Sequence, residues 1–174
     1  LGYFRQSNKR GKVLTETESK ISPLRLILPV VLLALFLLAL SMPVSNLFLT
    51  RKKIEYVVKD PDFVAFSQVM QSSCVDCHST NMIAYPIYSQ IPPAKNIIAH
   101  DIVEAQAAFV LTQSQLSGAS PIVGADLSRI ATEINEGAMP PAKYKALHWN
   151  AVLSSEQKKA VLTYVKKTSD VTVK

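Results

Sequence analysis

The stretch "SSCVDCHST", residues 72–80, holds both cysteines of a 174-residue chain, three positions apart and with His78 directly behind the second. Three chemistries use thiols at this spacing: a thioredoxin-like redox pair, half of a zinc site, and covalent haem attachment. An ordinary disulfide between Cys74 and Cys77 would close a very small, strained loop. A structural zinc site needs two further ligands, normally a second C-x-x-C or a closely spaced pair of histidines. The remaining histidines, His100 and His148, show no such pairing pattern. A thioredoxin-like pair belongs in a βαβ setting that opens a helix, and strand alternation is scarce here. Haem attachment needs two thiolates at fixed separation for the two vinyl groups, and a histidine next in line to rise to the iron. Cys74, Cys77 and His78 meet all three demands, so haem c held through Cys74 and Cys77, with His78 as proximal ligand, is the expected chemistry.

Methionine and histidine are the candidates for the opposite side of the iron. Met139 stands in "EGAMPPAKY", where Gly137 permits a tight turn and Pro140 and Pro141 stiffen the far side. It is the expected distal ligand. His148 in "ALHWN" and His100 are the alternatives, each giving a bis-histidine iron, and an open sixth position is a fourth possibility. Met70 falls on a helical face and reads as core, while Met82 lies too close to the attachment motif for an easy reach.

Outward from this motif the chain divides in two. Residues 26–50 carry no charged side chain, and "LILPVVLLALFLLAL" (residues 26–40) is wholly apolar. A membrane-spanning helix needs about 20 mostly apolar residues, and the stretch from Leu24 to about Phe48 supplies them. A spanning helix is expected over 23–49, with Pro29 in its first turn and Pro43 kinking or ending it. Ala39-Leu40-Ser41 resembles a signal-peptide cleavage site. The polar stretch before the apolar run is long for a signal peptide, so retention as an anchor is expected.

The formal charge of +6 is a sum of unlike parts. Residues 1–53 carry nine Lys/Arg against Glu16 and Glu18, whereas residues 54–174 carry ten against eleven Asp/Glu. The basicity is therefore juxtamembrane, suited to lipid headgroups and not to nucleic acid. Six basic residues precede the span and four follow it closely, favouring a cytoplasmic N-terminus. Residues 1–22 read as a polar tail, with a partner subunit expected to hold it, and 50–59 as a basic connector.

Residues 60–174 form the expected extramembrane domain, and its class is all-α. Asp60 is a candidate N-cap with Pro61 at the first helical position, and Phe63, Phe66 and Met70 share one face of the helix that follows. Further helices are expected from Ile97 to about Thr112, over Asp126 to Asn135 with Ile130 and Ile134 inward, and from Ser154. There Ser154 and Gln157 make a capping box, and Val161, Tyr164 and Val165 form the apolar face. Pro86, Pro92 and Pro93 in "YPIYSQIPPAKN" are expected to force an extended loop. Such a domain has a meagre core and gains from a bulky apolar group to wrap around.

"GAMPP" (137–141) followed by "LSSEQKKAVLTYVKK" (153–167) is similar to the C-terminal half of class I cytochromes c. "CVDCHSTN", "YPIYSQIPP", "IAHDIVEAQAAF" and "MPPAKYKALHWNAVLSSEQKKAV" together resemble the bacterial haem-binding-domain family of monohaem c-type cytochromes, over roughly residues 66–168. The resemblance implies one covalent haem c inside a class I cytochrome c-like array, with a final helix packed across the first. It also implies maturation outside the cytoplasm, which puts the haem domain in the periplasm and the tail in the cytoplasm. Two protein ligands on the iron would leave no place for substrate. Paired carboxylates, a nucleophile elbow and a phosphate loop are all missing from the sequence, so no enzymatic activity is expected. The expected role is one-electron transfer at the inner membrane, as a subunit or tethered donor of a respiratory or photosynthetic complex. The partners are then lipid, other subunits and redox proteins. The alternative is a haem enzyme or a gas or redox sensor.

Overall fold

The computed structural model describes residues 23–49 and 53–172. The polar tail, with the partner expected to hold it, and Thr50, Arg51 and Lys52 of the connector lie outside the described residues. All regular structure among the described residues is helical. The chain forms two compact units, residues 1–36 and 37–174.

Helix α1 (Pro23–Leu47) begins in the first unit and ends in the second. Its segment Ile27–Leu47 has a mean hydropathy of 2.7 with only 6% of it buried. The helix is long and apolar enough to cross a membrane. Pro29 lies beyond the first turn, because Pro23 is already helical. Pro43 does not end the helix, which continues to Leu47. The hydroxyls of Ser41 and Ser45 donate to the carbonyls of Leu38 and Met42 at 2.6 and 2.7 Å.

The second unit continues with α2 (Pro61–Ser73), α3 (Val75–His78), α4 (Pro92–Ala108), α5 (Gln113–Ser117), α6 (Gly124–Glu136), α7 (Ala142–Leu147) and α8 (Ser155–Thr172). Single 3-10 turns cover Ile87–Gln90 and Trp149–Ala151. The caps read from sequence are present. Asp60 accepts from the Asp62 N–H at 2.9 Å. Ser154 and Gln157 bond reciprocally, at 2.8 Å to the Ser154 N–H and 3.2 Å from the Gln157 N–H.

The core lies where α2, α6 and α8 meet. Phe66, Met70, Leu127, Ile130, Ile134, Val161 and Val165 are all buried. The Phe66 ring tilts against Tyr164 at a centroid distance of 4.5 Å, pinning α2 across α8. A fully buried side chain of this size contributes roughly 1.5–3 kcal/mol. The first and last helices of the domain thus pack on each other, as the class I resemblance implies. At the surface Lys167 of α8 bridges Asp60 and Asp62 at the start of α2, at 2.8 and 2.9 Å. The bond to Lys167 lowers the Asp60 pKa.

The proline loop departs from expectation. Pro92 and Pro93 occupy the first positions of α4 instead of an extended segment, since a helix start needs neither N–H. Helix α4 therefore begins five residues before Ile97. It stops at Ala108, where Phe109 turns extended (φ −166°, ψ 160°). None of its residues is buried.

Gly118 closes α5 at φ +83°, and a Cβ there would meet Val58 at 2.7 Å. Gly137 closes α6 at φ +70° with open space around it. Left-handed backbone costs an L-residue about 1–2 kcal/mol, so Gly137→Ala should lower unfolding free energy by about that amount. Gly118→Ala adds the clash and should cost roughly 2–4 kcal/mol. Denaturant titration of the two variants side by side checks the order.

Candidate functional site

The attachment motif is not a loop. Helix α2 ends as the Cys74 N–H donates to the Met70 carbonyl at 2.9 Å, and the His78 N–H donates back to Cys74 at 2.9 Å. Residues 75–78 thus make one further helical turn, α3, which carries the motif as a rigid unit. No disulfide joins Cys74 to Cys77. Burial, with the Asp76 charge next in weight, pushes the Cys77 thiol up to about 11. Among the described residues neither cysteine falls in a group of three that could hold a metal ion, which leaves the zinc reading without its further ligands.

His78 is buried. Its Nδ1 lies 3.3 Å from the Phe109 carbonyl, and its ring stacks on the Phe109 ring at 3.9 Å and 9°. A carbonyl only accepts, so Nδ1 carries the proton and Nε2 keeps the lone pair. Burial lowers the His78 pKa and keeps the ring neutral. A neutral imidazole, oriented through its other nitrogen, is the form that ligates metals.

Two adjoining clefts open beside this turn. The larger, of about 270 Å³, is bounded by Cys74, Cys77, His78, Ala108, Met139 and Tyr144. The smaller, of about 50 Å³, shares Cys74, His78 and Met139 with it and reaches Ile134 and Leu153. Met139 is delivered from the end of α6. Gly137 takes the left-handed conformation, and the Ala138 N–H folds back to the Glu133 carbonyl at 3.0 Å. The thioether residue remains 37% exposed. The four residues Cys74, Cys77, His78 and Met139 therefore border one cleft, and their chemistry fits a haem: two thiols, an oriented imidazole and a thioether.

The alternative ligands lie elsewhere. His148 is buried, stacked on Tyr144 at 3.9 Å with its Nδ1 3.1 Å from the Tyr144 carbonyl, and borders neither cleft. His100 is exposed on α4, 3.5 Å from Glu104.

Asp76, between the two cysteines, is a residue of the site that sequence reasoning missed. It is buried, and its carboxylate accepts from the Ala84 N–H at 3.0 Å and from the Tyr144 hydroxyl at 2.7 Å. One side chain thus ties α3 to the following loop and to α7. Phe109 was missed as well. Its carbonyl acts through backbone position, which leaves no mark on residue type.

The model of the haem-binding domain family matches residues 32–167. Cytochrome c peroxidase Ccp of Escherichia coli strain K12 is 31% identical over 99 residues, 56% of this chain and 21% of that protein. The chain thus spans about a fifth of that relative's length. No solved structure matches.

Asp76→Ala should lower unfolding free energy by about 2–3 kcal/mol, the usual loss for bonds to a buried charged group. Tyr144→Phe, which removes one of those bonds and keeps the ring, should cost about 1–2 kcal/mol. Denaturant unfolding of both variants measures the difference.

Proposed function

We propose that this chain, which belongs to the haem-binding domain family, is a membrane-anchored monohaem c-type cytochrome that passes single electrons outside the cytoplasm. The observation that carries the reading is the meeting of Cys74, Cys77, His78 and Met139 on one cleft. Cys74 and Cys77 would hold the haem as thioethers, with His78 Nε2 as proximal ligand and the Met139 sulfur as distal ligand. The group supplies a one-electron ferric–ferrous couple when bound.

The chain's own residues do the rest. The Phe109 carbonyl holds the His78 ring in one tautomer and one plane. Ala108, Ile134, Pro140 and Leu153 line the clefts with apolar surface that keeps water away. The Asp76 carboxylate fixes the attachment turn against α7. With His78 and Met139 both holding the iron, substrate would have no coordination position, and the chain would be a relay with no enzymatic activity. The peroxidase relative supports the haem reading. With a fifth of that protein covered, the match supplies no basis for carrying its activity over.

Helix α1 supports anchoring in the inner membrane, and the six-to-four balance of basic residues supports a cytoplasmic N-terminus with the haem domain in the periplasm. The anchor restricts encounters with redox partners to a thin layer at the membrane surface. That offsets the near-neutral charge of residues 54–174, which gives little electrostatic steering. The partners are other subunits of a respiratory or photosynthetic complex, or redox proteins that meet the domain at that surface.

The mass of the purified chain should exceed that of the polypeptide by one haem. The reduced spectrum should be low-spin and unchanged by carbon monoxide. Met139→Ala should abolish the near-infrared methionine–iron band, admit carbon monoxide and lower the reduction potential, while His148→Ala leaves all three unchanged. A colourless chain sinks the proposal, and prompt carbon monoxide binding by the unmodified protein replaces it with a haem enzyme or sensor.

A further inference from the structure

Among the described residues Asp76 is the one Asp, Glu, Lys or Arg side chain that is buried. Taking a charge out of water is costly. Its carboxylate meets a donor at each oxygen, the Ala84 N–H at 3.0 Å on Oδ1 and the Tyr144 hydroxyl at 2.7 Å on Oδ2. That is the pattern of the ionised group, which only accepts. Both donors are neutral, so they stabilise the charge without cancelling it. Anchoring alone does not call for a charge. An asparagine could accept from Ala84 and donate to Tyr144, at a lower cost of burial.

The position of Asp76 gives the charge a use. It stands between Cys74 and Cys77, on the single turn Val75–His78 that carries the attachment motif. A fixed negative charge favours the redox form with more positive charge, which in an iron couple is the ferric one. The other charged side chains on the clefts are placed to count for less. Asp101 and Lys143 pair at 2.6 Å, Glu104 and Arg129 are exposed, and Glu133 is only half-buried. Solvent screens exposed charges far more than buried ones.

We propose that the Asp76 carboxylate is a built-in charge that lowers the reduction potential of a haem attached at Cys74 and Cys77, and that the Tyr144 hydroxyl sets how strongly it acts. This role for Asp76 rests on the haem reading above. At the effective dielectric of a partly buried site, one unit charge acting across about 10 Å, the width of a helix, shifts a one-electron equilibrium roughly tenfold. The Tyr144 hydroxyl points its positive end at the carboxylate and offsets part of that effect. Asp76 and Tyr144 are thus positioning and tuning residues that need not touch the iron.

The test uses the full-length protein in lipid nanodiscs, with the haem content of each variant first established by mass and reduced spectrum. Midpoint potentials are then measured by spectroelectrochemical titration at neutral pH. Asp76→Asn keeps the shape of the side chain and removes its charge. It should move the equilibrium about tenfold toward the ferrous form, an upward shift of about 59 mV for one electron. Tyr144→Phe should move it about two- to threefold the opposite way, with carbon monoxide still excluded. Opposite signs are the mark of a charge effect. A site that is merely loosened admits water, which stabilises the ferric charge and lowers the potential in both variants. An unchanged or lowered potential in Asp76→Asn overturns the proposal. If Asp76→Asn retains no haem, Tyr144→Phe decides. A potential lowered with carbon monoxide excluded supports the proposal, and one unchanged, raised, or lowered with carbon monoxide admitted overturns it. A colourless unmodified protein removes the cytochrome reading and this role with it, whereas a haem-bearing protein indifferent to Asp76→Asn removes only the role of Asp76.

Discussion

Everything near the cleft depends on holding one helical turn, residues 75–78, from several sides at once. A four-residue helix has no stability of its own. Here its backbone continues from α2 through Cys74, and the His78 carbonyl accepts from the Leu111 N–H at 2.6 Å. Ser79 bonds back to Val75 at 2.7 Å, and Gln106 of α4 donates to the Ser79 carbonyl at 2.7 Å. Asp76 adds the ties to Ala84 and Tyr144. The motif residues themselves supply the chemistry, and their intervening and flanking residues supply the rigidity. An imidazole set on a rigid turn keeps one orientation, and precise placement is what a metal site requires of its scaffold.

The same contacts explain how a small domain manages with a thin core. The buried cluster joins α2, α6 and α8 on one side of the attachment turn. On the other side α4 has no buried residue and is held by polar bonds such as that of Gln106. A bulky apolar group in the clefts would be flanked by Ala105 and Ala108 of α4 and by Met139 and Pro140 from beyond α6. It would join two halves that otherwise share few apolar contacts, consistent with the expectation that this domain gains from something to wrap around.

What the sequence made legible was local. The caps at Asp60 and Ser154, the apolar stripes of α2, α6 and α8, and the C-x-x-C-H motif each announce themselves within a few residues. Short helices did not. Helices α5 and α7, of five and six residues, are too brief to show a period and owe their form to contacts. Pro92 and Pro93 were misread because proline breaks a helix interior yet suits its first turn, and sequence alone did not say which applied. In the site, the four residues read from sequence border one cleft, whereas Asp76 and the Phe109 carbonyl stayed hidden. Their partners are 68 and 31 residues away in the case of Tyr144 with Asp76 and Phe109 with His78. Nothing short of the fold reveals such pairs.

The end of α1 shows how the apolar helix joins the helical domain that follows it. Asn46 is almost fully buried, an unusual place for an amide in an apolar helix, and its Oδ1 has no hydrogen-bond partner among the described residues. Leaving an acceptor unsatisfied costs about 1–3 kcal/mol. Set against this, its Nδ2 spans from Tyr88 to the Leu147 carbonyl, joining the helix end to both the proline loop and α7. An anchor that served only as a leash would need no such residue. The last turns of α1, from Leu37 onward, belong to the same compact unit as Cys74, Cys77, His78 and Met139. This part of the helix is therefore a structural element of the domain. The buried amide is what makes the last turns of the apolar helix part of the domain.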